Sequence, residues 1–300
     1  MLFRSLNTTL EETNSVVLQG ITNNTEIEVV SLTAETDKNI PQCQKKYNNR
    51  YALIIGNEDY TKYQNDLRAE ANVDFARNDA QVFAQYAELT LGIPKENITL
   101  ITDAIGSVMN REIERLVNKA RYGDSNTELI FYYSGHGFPE SNTKEGYIMP
   151  VDVSGANVTA GIKLSDLYQK LTEFPAKRVT VFLDACFSGG GRDQGLVAAR
   201  TVRIPPVSNN ITQGNLVVFS ASSGDQESLM YDDKKHGIFT YCLLKKLQET
   251  EGNITYKELA DYLAKEVAKI ASDKLYKQQN PEVNISSDIE NLWQSWKINW

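Results

Sequence analysis

The chain has 300 residues, with 31 Lys+Arg against 39 Asp+Glu for a formal net charge of −8, and 41% of its residues are hydrophobic. An excess of acid argues against sequence-independent nucleic-acid binding, which needs a cationic surface to release counterions, and no apolar run reaches the roughly 18 residues of a membrane span. With 2 His and 3 Cys, none close together, the sequence offers neither a disulfide framework nor a structural zinc site built from neighbouring ligands.

Residues 1–49 are rich in Thr, Asn and Glu, and their only alternating run is Ile27-Glu28-Val29-Val30-Ser31-Leu32. One or two strands are expected there, followed by a polar linker through Asp37 to Asn49. The start, MLFRSLNTTLEETN, turns polar too soon for the apolar core of a signal peptide. The expected location is therefore the cytoplasm, unless the chain is a fragment of a longer protein.

From Arg50 the pattern becomes regular. Short apolar runs at 51–56, 98–102, 129–133, 179–183 and 216–221 read as strands covered on both faces. Helical spacing separates them. A helix opened by Asp74 or Asn78 carries Val82, Phe83, Tyr86 and Leu89 on one face, and a second carries Met109, Ile113, Leu116, Val117 and Ala120. A third presents Phe239, Cys242, Leu243 and Leu247, and a fourth Leu259, Leu263, Val267 and Ile270, with Thr255 and Glu258 spaced as a capping box. Strand alternating with helix predicts an α/β domain over 50–300, a mostly parallel sheet with helices on both faces, behind a short N-terminal extension over 1–49.

In such a sheet ligands bind beyond the carboxyl ends of the strands. The informative segments are then Asn57–Tyr60, Ser134–Phe138, Asp184–Gly191 and Ser222–Glu227. Two of them carry chemistry. In Tyr132-Tyr133-Ser134-Gly135-His136-Gly137-Phe138 a histidine lies between two glycines. In Asp184-Ala185-Cys186-Phe187-Ser188-Gly189-Gly190-Gly191 a cysteine leaves a buried strand for a glycine-rich turn. Alone, the first reads as a loop histidine bonded to backbone and the second as a small buried hydrophobe. On one sheet edge together they form the minimal apparatus of covalent acyl transfer, a thiol beside an imidazole. The adjoining glycine N–H groups could bind an oxyanion.

The pair "YSGHGF" and "LDACFSGG", with "YALIIGNEDY" and "ARNDAQVF" upstream, resembles the caspase-like cysteine peptidases of clan CD, nearest their bacterial metacaspase and orthocaspase branch. The resemblance extends from about Arg50 to the "NPEV" segment at 280–283 and does not cover 1–49. It implies a caspase-like fold, with His136 as catalytic histidine, Cys186 as nucleophile, and the N–H groups of Gly137 and Cys186 as the oxyanion hole. It further implies a Cys–His dyad with no required third acid. In the metacaspase branch acids line the primary specificity pocket and select Arg or Lys. Asp184 matches one of these acids and Asp79 another, with Asp225 and Glu227 as further candidates. The alternative for Asp79 is a carboxylate in the first turn of a helix, stabilised by its dipole.

Many metacaspases need calcium, bound by acids after both motifs. Here Asp193 is suitably placed, but Pro139–Gly146 has only Glu140 and Glu145, too few oxygens for a cation that takes six to eight. The expectation is no metal and no cofactor. Loop 187–215 lies where the family has its intersubunit linker and carries Arg200 and Arg203 before Pro205-Pro206. Autoprocessing after either arginine is expected of an Arg/Lys peptidase, a solvated basic loop being the plainer alternative.

The other residues of these types read as structural: His236 as a loop or cap residue, Cys242 as core, Cys43 as linker, and Trp293, Trp296 and Trp300 as packing for a closing segment. The leading functional expectation is an endopeptidase acting on proteins or peptides with basic residues, with no nucleic-acid or membrane partner. A catalytically silent caspase-like interaction module, and a clan relative with another specificity, are the alternatives.

Overall fold

Each of the five apolar runs is a strand of one sheet. In the computed structural model, which describes residues 34–65, 67–143, 145–187, 213–223 and 226–299, the long strands are β1 (Arg50–Gly56), β2 (Ile98–Thr102), β3 (Glu128–Ser134), β7 (Arg178–Asp184), β8 (Leu216–Ser220) and β11 (Glu282–Ile285). Between them lie the short strands β4 (Gly137–Pro139), β5 (Gly146–Ile148), β6 (Ile162–Lys163), β9 (Met230–Tyr231) and β10 (His236–Gly237). The helices are α1 (Ala76–Leu89), α2 (Gly106–Tyr122), α3 (Leu164–Leu171), α4 (Ile238–Thr250) and α5 (Tyr256–Leu275).

The main sheet runs β11-β8-β7-β3-β1-β2, parallel throughout except for antiparallel β11. Side chains alternate across it. Ala52, Ile54, Ile130, Tyr132, Phe182, Val217 and Phe219 pack with α1, α4 and α5 on one face. Leu53, Ile55, Leu129, Phe131, Val181, Leu183 and Val218 pack with α2 and α3 on the other. The expected α/β architecture with both faces covered is the one observed. The exception is β2, an edge strand, where Thr99, Leu100 and Thr102 are exposed.

Local signals worked where they were strong. Thr255 and Glu258 form the reciprocal capping box that starts α5. The first helix begins at Ala76, between the two expected starts. Its N-cap Phe75 has no capping side chain and is left-handed at φ 71°, and the Glu58 carboxylate accepts the Arg77 N–H instead.

Residues 34–49 depart from the linker expectation. Glu35–Asp37 form a 3₁₀ turn against the domain, with Ala34 and Thr36 buried. The Tyr86 hydroxyl donates to the Thr36 carbonyl, and the Cys43 and Tyr47 N–H groups donate to the carbonyls of Leu89 and Gly92. The backbone of this polar segment serves intramolecular bonds, where composition alone suggests a solvated linker. The strand expected over 27–32 lies outside the described residues.

The sheet register places the histidine and cysteine motifs side by side. Gly56 pairs with Ser134, and Ser134 with Asp184, so β1, β3 and β7 end level. His136 and Cys186 each come two residues after that line.

Candidate active site

Cys186 lies two residues beyond the end of β7 and is 5% exposed. Its Sγ accepts the Ser228 N–H and lies 3.6 Å from the Ser228 carbonyl. Phe187, also buried, packs its ring against Gly137. A Cβ on Gly137 would stand 2.6 Å from the Cys186 carbonyl oxygen, so the backbones of the two motifs meet only because this residue is glycine. The level register and this contact bring the histidine and cysteine motifs to one sheet edge, as their positions after β3 and β7 predict.

His136 is 3% exposed and tightly framed. Its backbone N–H donates to the Tyr60 hydroxyl (2.9 Å), and the Tyr133 hydroxyl donates to its carbonyl (2.7 Å). The ring packs between Tyr60 and Phe138, with centroids at 4.6 and 5.6 Å. Nε2 lies 2.7 Å from the Ala71 carbonyl. A carbonyl can only accept, so Nε2 carries a proton. Of the two ring nitrogens, Nδ1 is then the one that can accept a proton. Tyr60 lies in a segment expected to be functional, but its role and that of Ala71 have no signal in the sequence.

Asp184 and Asp79 are both fully buried and flank the same residue. The Gly237 N–H donates to Asp79 (3.2 Å to each oxygen). A Cβ on Gly237 would lie 2.3 Å from Asp184 Oδ2. Asp184 accepts the Thr240 N–H (3.1 Å), the Thr240 hydroxyl (2.7 Å) and the Ser228 hydroxyl. Thr240 is in the first turn of α4, whose N-cap Gly237 has no side chain to cap it. Asp184 therefore caps α4 from another element, with its charge at the positive end of the dipole. Asp79, which does lie in the first turn of α1, also accepts the Ser134 hydroxyl (3.0 Å) and meets His236 Nδ1 (2.7 Å).

His236 is more than the loop or cap residue expected of it. It lies in β10, is fully buried, and contacts Asp79 through Nδ1 and Asp37 through Nε2 (2.8 Å). Burial pulls its pKa down, but the bonds to Asp37 and Asp79 outweigh that and raise it to about 9. Ser228 likewise carries no mark in the sequence, although it lies one residue beyond a segment expected to be functional. It joins Cys186 to Asp184 through its N–H and its hydroxyl.

Two further acid candidates fare differently. Glu227 pairs with Lys277 at 3.0 Å, both partly solvent-exposed. Its charge is engaged with the segment after α5. Asp225 lies outside the described residues, as do Arg200, Arg203 and Asp193. Cys242 sits in the core on α4, where burial pushes its thiol well above the usual range. Trp293 and Trp296 pack against the same core. Among the described residues no group of three or more His, Cys, Asp or Glu is disposed to hold a metal ion, and no helix is long and apolar enough to cross a membrane.

A family model described as Caspase domain matches residues 49–292. Metacaspase-1A of Aspergillus oryzae is 28% identical over 199 residues, covering 60% of this chain and 45% of that protein. Metacaspase-1 of Eremothecium gossypii is 26% identical over 199 residues, covering 59% and 41%. The matched stretch thus spans less than half the length of these curated relatives. Among solved structures, protein GSU0716 from Geobacter sulfurreducens shares the fold with a TM-score of 0.60 at 16% identity, over 82% of this chain and 97% of that one.

Proposed function

Since the chain belongs to the caspase-domain family, with metacaspase relatives, we propose that it is a cysteine endopeptidase that cleaves proteins or peptides after Arg or Lys. Cys186 is the nucleophile and His136 its acid–base partner. The observation that carries this reading is the meeting of the two motifs at one sheet edge, with Gly137 against the Cys186 carbonyl and His136 Nε2 committed to Ala71.

Cys186 passes its proton to His136 Nδ1, the resulting thiolate attacks the scissile carbonyl, and the N–H groups of Gly137 and Cys186 stabilise the oxyanion. His136 Nδ1 then delivers a proton to the leaving amine. Water, deprotonated by the same nitrogen, hydrolyses the thioester and regenerates the thiol. Tyr60 and Phe138 hold the ring in place, which keeps the dyad productive without a third acid.

Asp184 and Asp79 select the basic side chain. Asp184 is satisfied by neutral donors, the Thr240 N–H and two hydroxyls. A guanidinium or ammonium entering there adds the attraction of a full positive charge to a carboxylate otherwise held by neutral donors. Arg200 and Arg203 are the candidate autocleavage sites, and neither calcium nor any other cofactor is required.

Matched fluorogenic peptides ending in Arg, Lys, Asp and Asn, each assayed with calcium and with EGTA, test the specificity. The expected result is turnover of the Arg and Lys peptides alone, equal in both conditions. Cleavage after Asp or Asn, with Arg and Lys untouched, would overturn the assignment of Asp79 and Asp184.

A further inference from the structure

The chain has two histidines, and the proposed acyl transfer uses one. The other, His236, has both ring nitrogens aimed at carboxylates, Nδ1 at Asp79 and Nε2 at Asp37. Ionised carboxylates accept hydrogen bonds and donate none. The fully buried ring therefore meets both partners at once only as the imidazolium, with a proton on each nitrogen. One of those partners is a specificity acid. The other belongs to the N-terminal segment, 199 residues away in sequence.

That segment is firmly anchored. Glu35 accepts the Tyr241 hydroxyl (2.5 Å) from α4 and pairs with Lys234 (2.6 Å). The Tyr86 hydroxyl of α1 donates to the Thr36 carbonyl (2.8 Å). The charges around the ring are Asp37 and Glu35 from this segment, Asp79 from α1, Asp184 across Gly237, and Lys234 and Lys235 from the turn before β10. Burial raises the pKa of the Tyr86 and Tyr241 phenols and keeps them neutral. A cation is thus enclosed by acids, and it links the segment to Asp79.

We propose that His236 is a positioning residue of the specificity site, an imidazolium clamped between Asp37 and Asp79 through which the docked Glu35–Asp37 segment fixes the Asp79 carboxylate for the basic substrate side chain. The inference rests on the basic-residue specificity proposed for Asp79 and Asp184. With Asp37 changed to an amide, the ring loses an anionic partner and Asp79 loses a fixed cation. Substrate affinity then falls while the dyad is untouched.

The test combines ¹⁵N NMR of the histidine rings with kinetics on an Arg-ending peptide, using the full chain. His136→Ala assigns the two histidine signals. Wild type, Asp37→Asn and Asp37→Glu are compared at about pH 8. The expected wild-type His236 has both nitrogens protonated. Asp37→Asn loses one ring proton and raises KM about five- to tenfold, with kcat within about twofold, and Asp37→Glu restores both readouts. A singly protonated His236 in wild type overturns the inference. So does an Asp37→Asn variant with an altered ring and an unchanged KM. A wild type that cuts no basic peptide overturns the specificity reading and the inference together, whereas cleavage with an unchanged KM overturns the inference alone.

Discussion

Gly137 shows how strictly single residues are constrained here. A methyl group at this position would lie 2.5 Å from the Phe187 ring and 2.6 Å from the Cys186 carbonyl, closer than any relaxed contact. Gly137→Ala must push the cysteine turn away from the histidine turn. Overpacking of this kind costs about 1–3 kcal/mol, and displacing the dyad by about 1 Å costs on the order of 100-fold in rate. The variant is expected to fold with a lowered Tm and to lose about two orders of magnitude in kcat/KM on an Arg peptide. Activity within about twofold of wild type would mean that the two motifs need not touch. Ser228 and Thr240 work the other way, since they add hydrogen bonds to buried groups of the site. Their hydroxyls keep the Asp184 charge solvated inside the protein.

At the scale of elements, α4 organises the acidic side of the site. It starts at Gly237 without a cap of its own, and Asp184 supplies one from β7. Just before it, β10 carries the His236 imidazolium that ties α1 to the Glu35–Asp37 turn. This has a consequence for pH. The His236 pKa is raised from 6.5 to about 9, so the folded state binds its proton more tightly than the unfolded chain. The stabilisation is complete below about pH 6.5 and is lost as pH rises through about 9, an effect on the order of 3 kcal/mol. Thermal melts of wild type are expected to show Tm falling between about pH 7 and 9.5, more steeply than in Asp37→Asn. Parallel pH profiles of the two proteins would contradict the clamp.

Legibility in the sequence also differs by element. Four of the five parallel strands are readable because burial on both faces leaves continuous apolar runs, and the capping box of α5 because its two residues are local. The two-turn α3 is less so: Leu164, Leu167, Tyr168 and Leu171 keep a helical spacing, but over only eight residues. Strand β11 is not, since its partly buried edge position leaves a mixed pattern. The dyad candidates are visible because both motifs follow strand ends directly. The linkage of His236 to Asp79 and Asp37 spans 157 and 199 residues, and no local pattern announces a contact that only the folded chain creates.

Over the whole molecule, the two ends of the sheet have different tasks. At the amino ends, Arg50, Glu128 and Arg178 begin β1, β3 and β7 and form a buried ion network, with Glu128 between the two guanidinium groups at 2.7 and 2.6 Å. The attraction of both arginines outweighs burial and holds the Glu128 carboxyl below the usual carboxylate range. The same arginines bind the closing segment, Arg50 to the Asn299 side chain and Arg178 to the Lys297 carbonyl. At the carboxyl ends the level register presents Cys186, His136 and the acids beneath them. One end fastens the chain while the other carries the proposed site.

The measurement that bears most directly on this division is covalent labelling by a peptidyl-Arg acyloxymethyl ketone, read as intact mass on wild type and Cys186→Ala. Wild type should gain one probe mass, and Cys186→Ala none. Incubated without probe, wild type should in addition give fragments ending at Arg200 or Arg203 that Cys186→Ala does not give. A wild type that stays unlabelled, with and without calcium and after prolonged incubation, would contradict the peptidase account and favour a silent module built on the same fold.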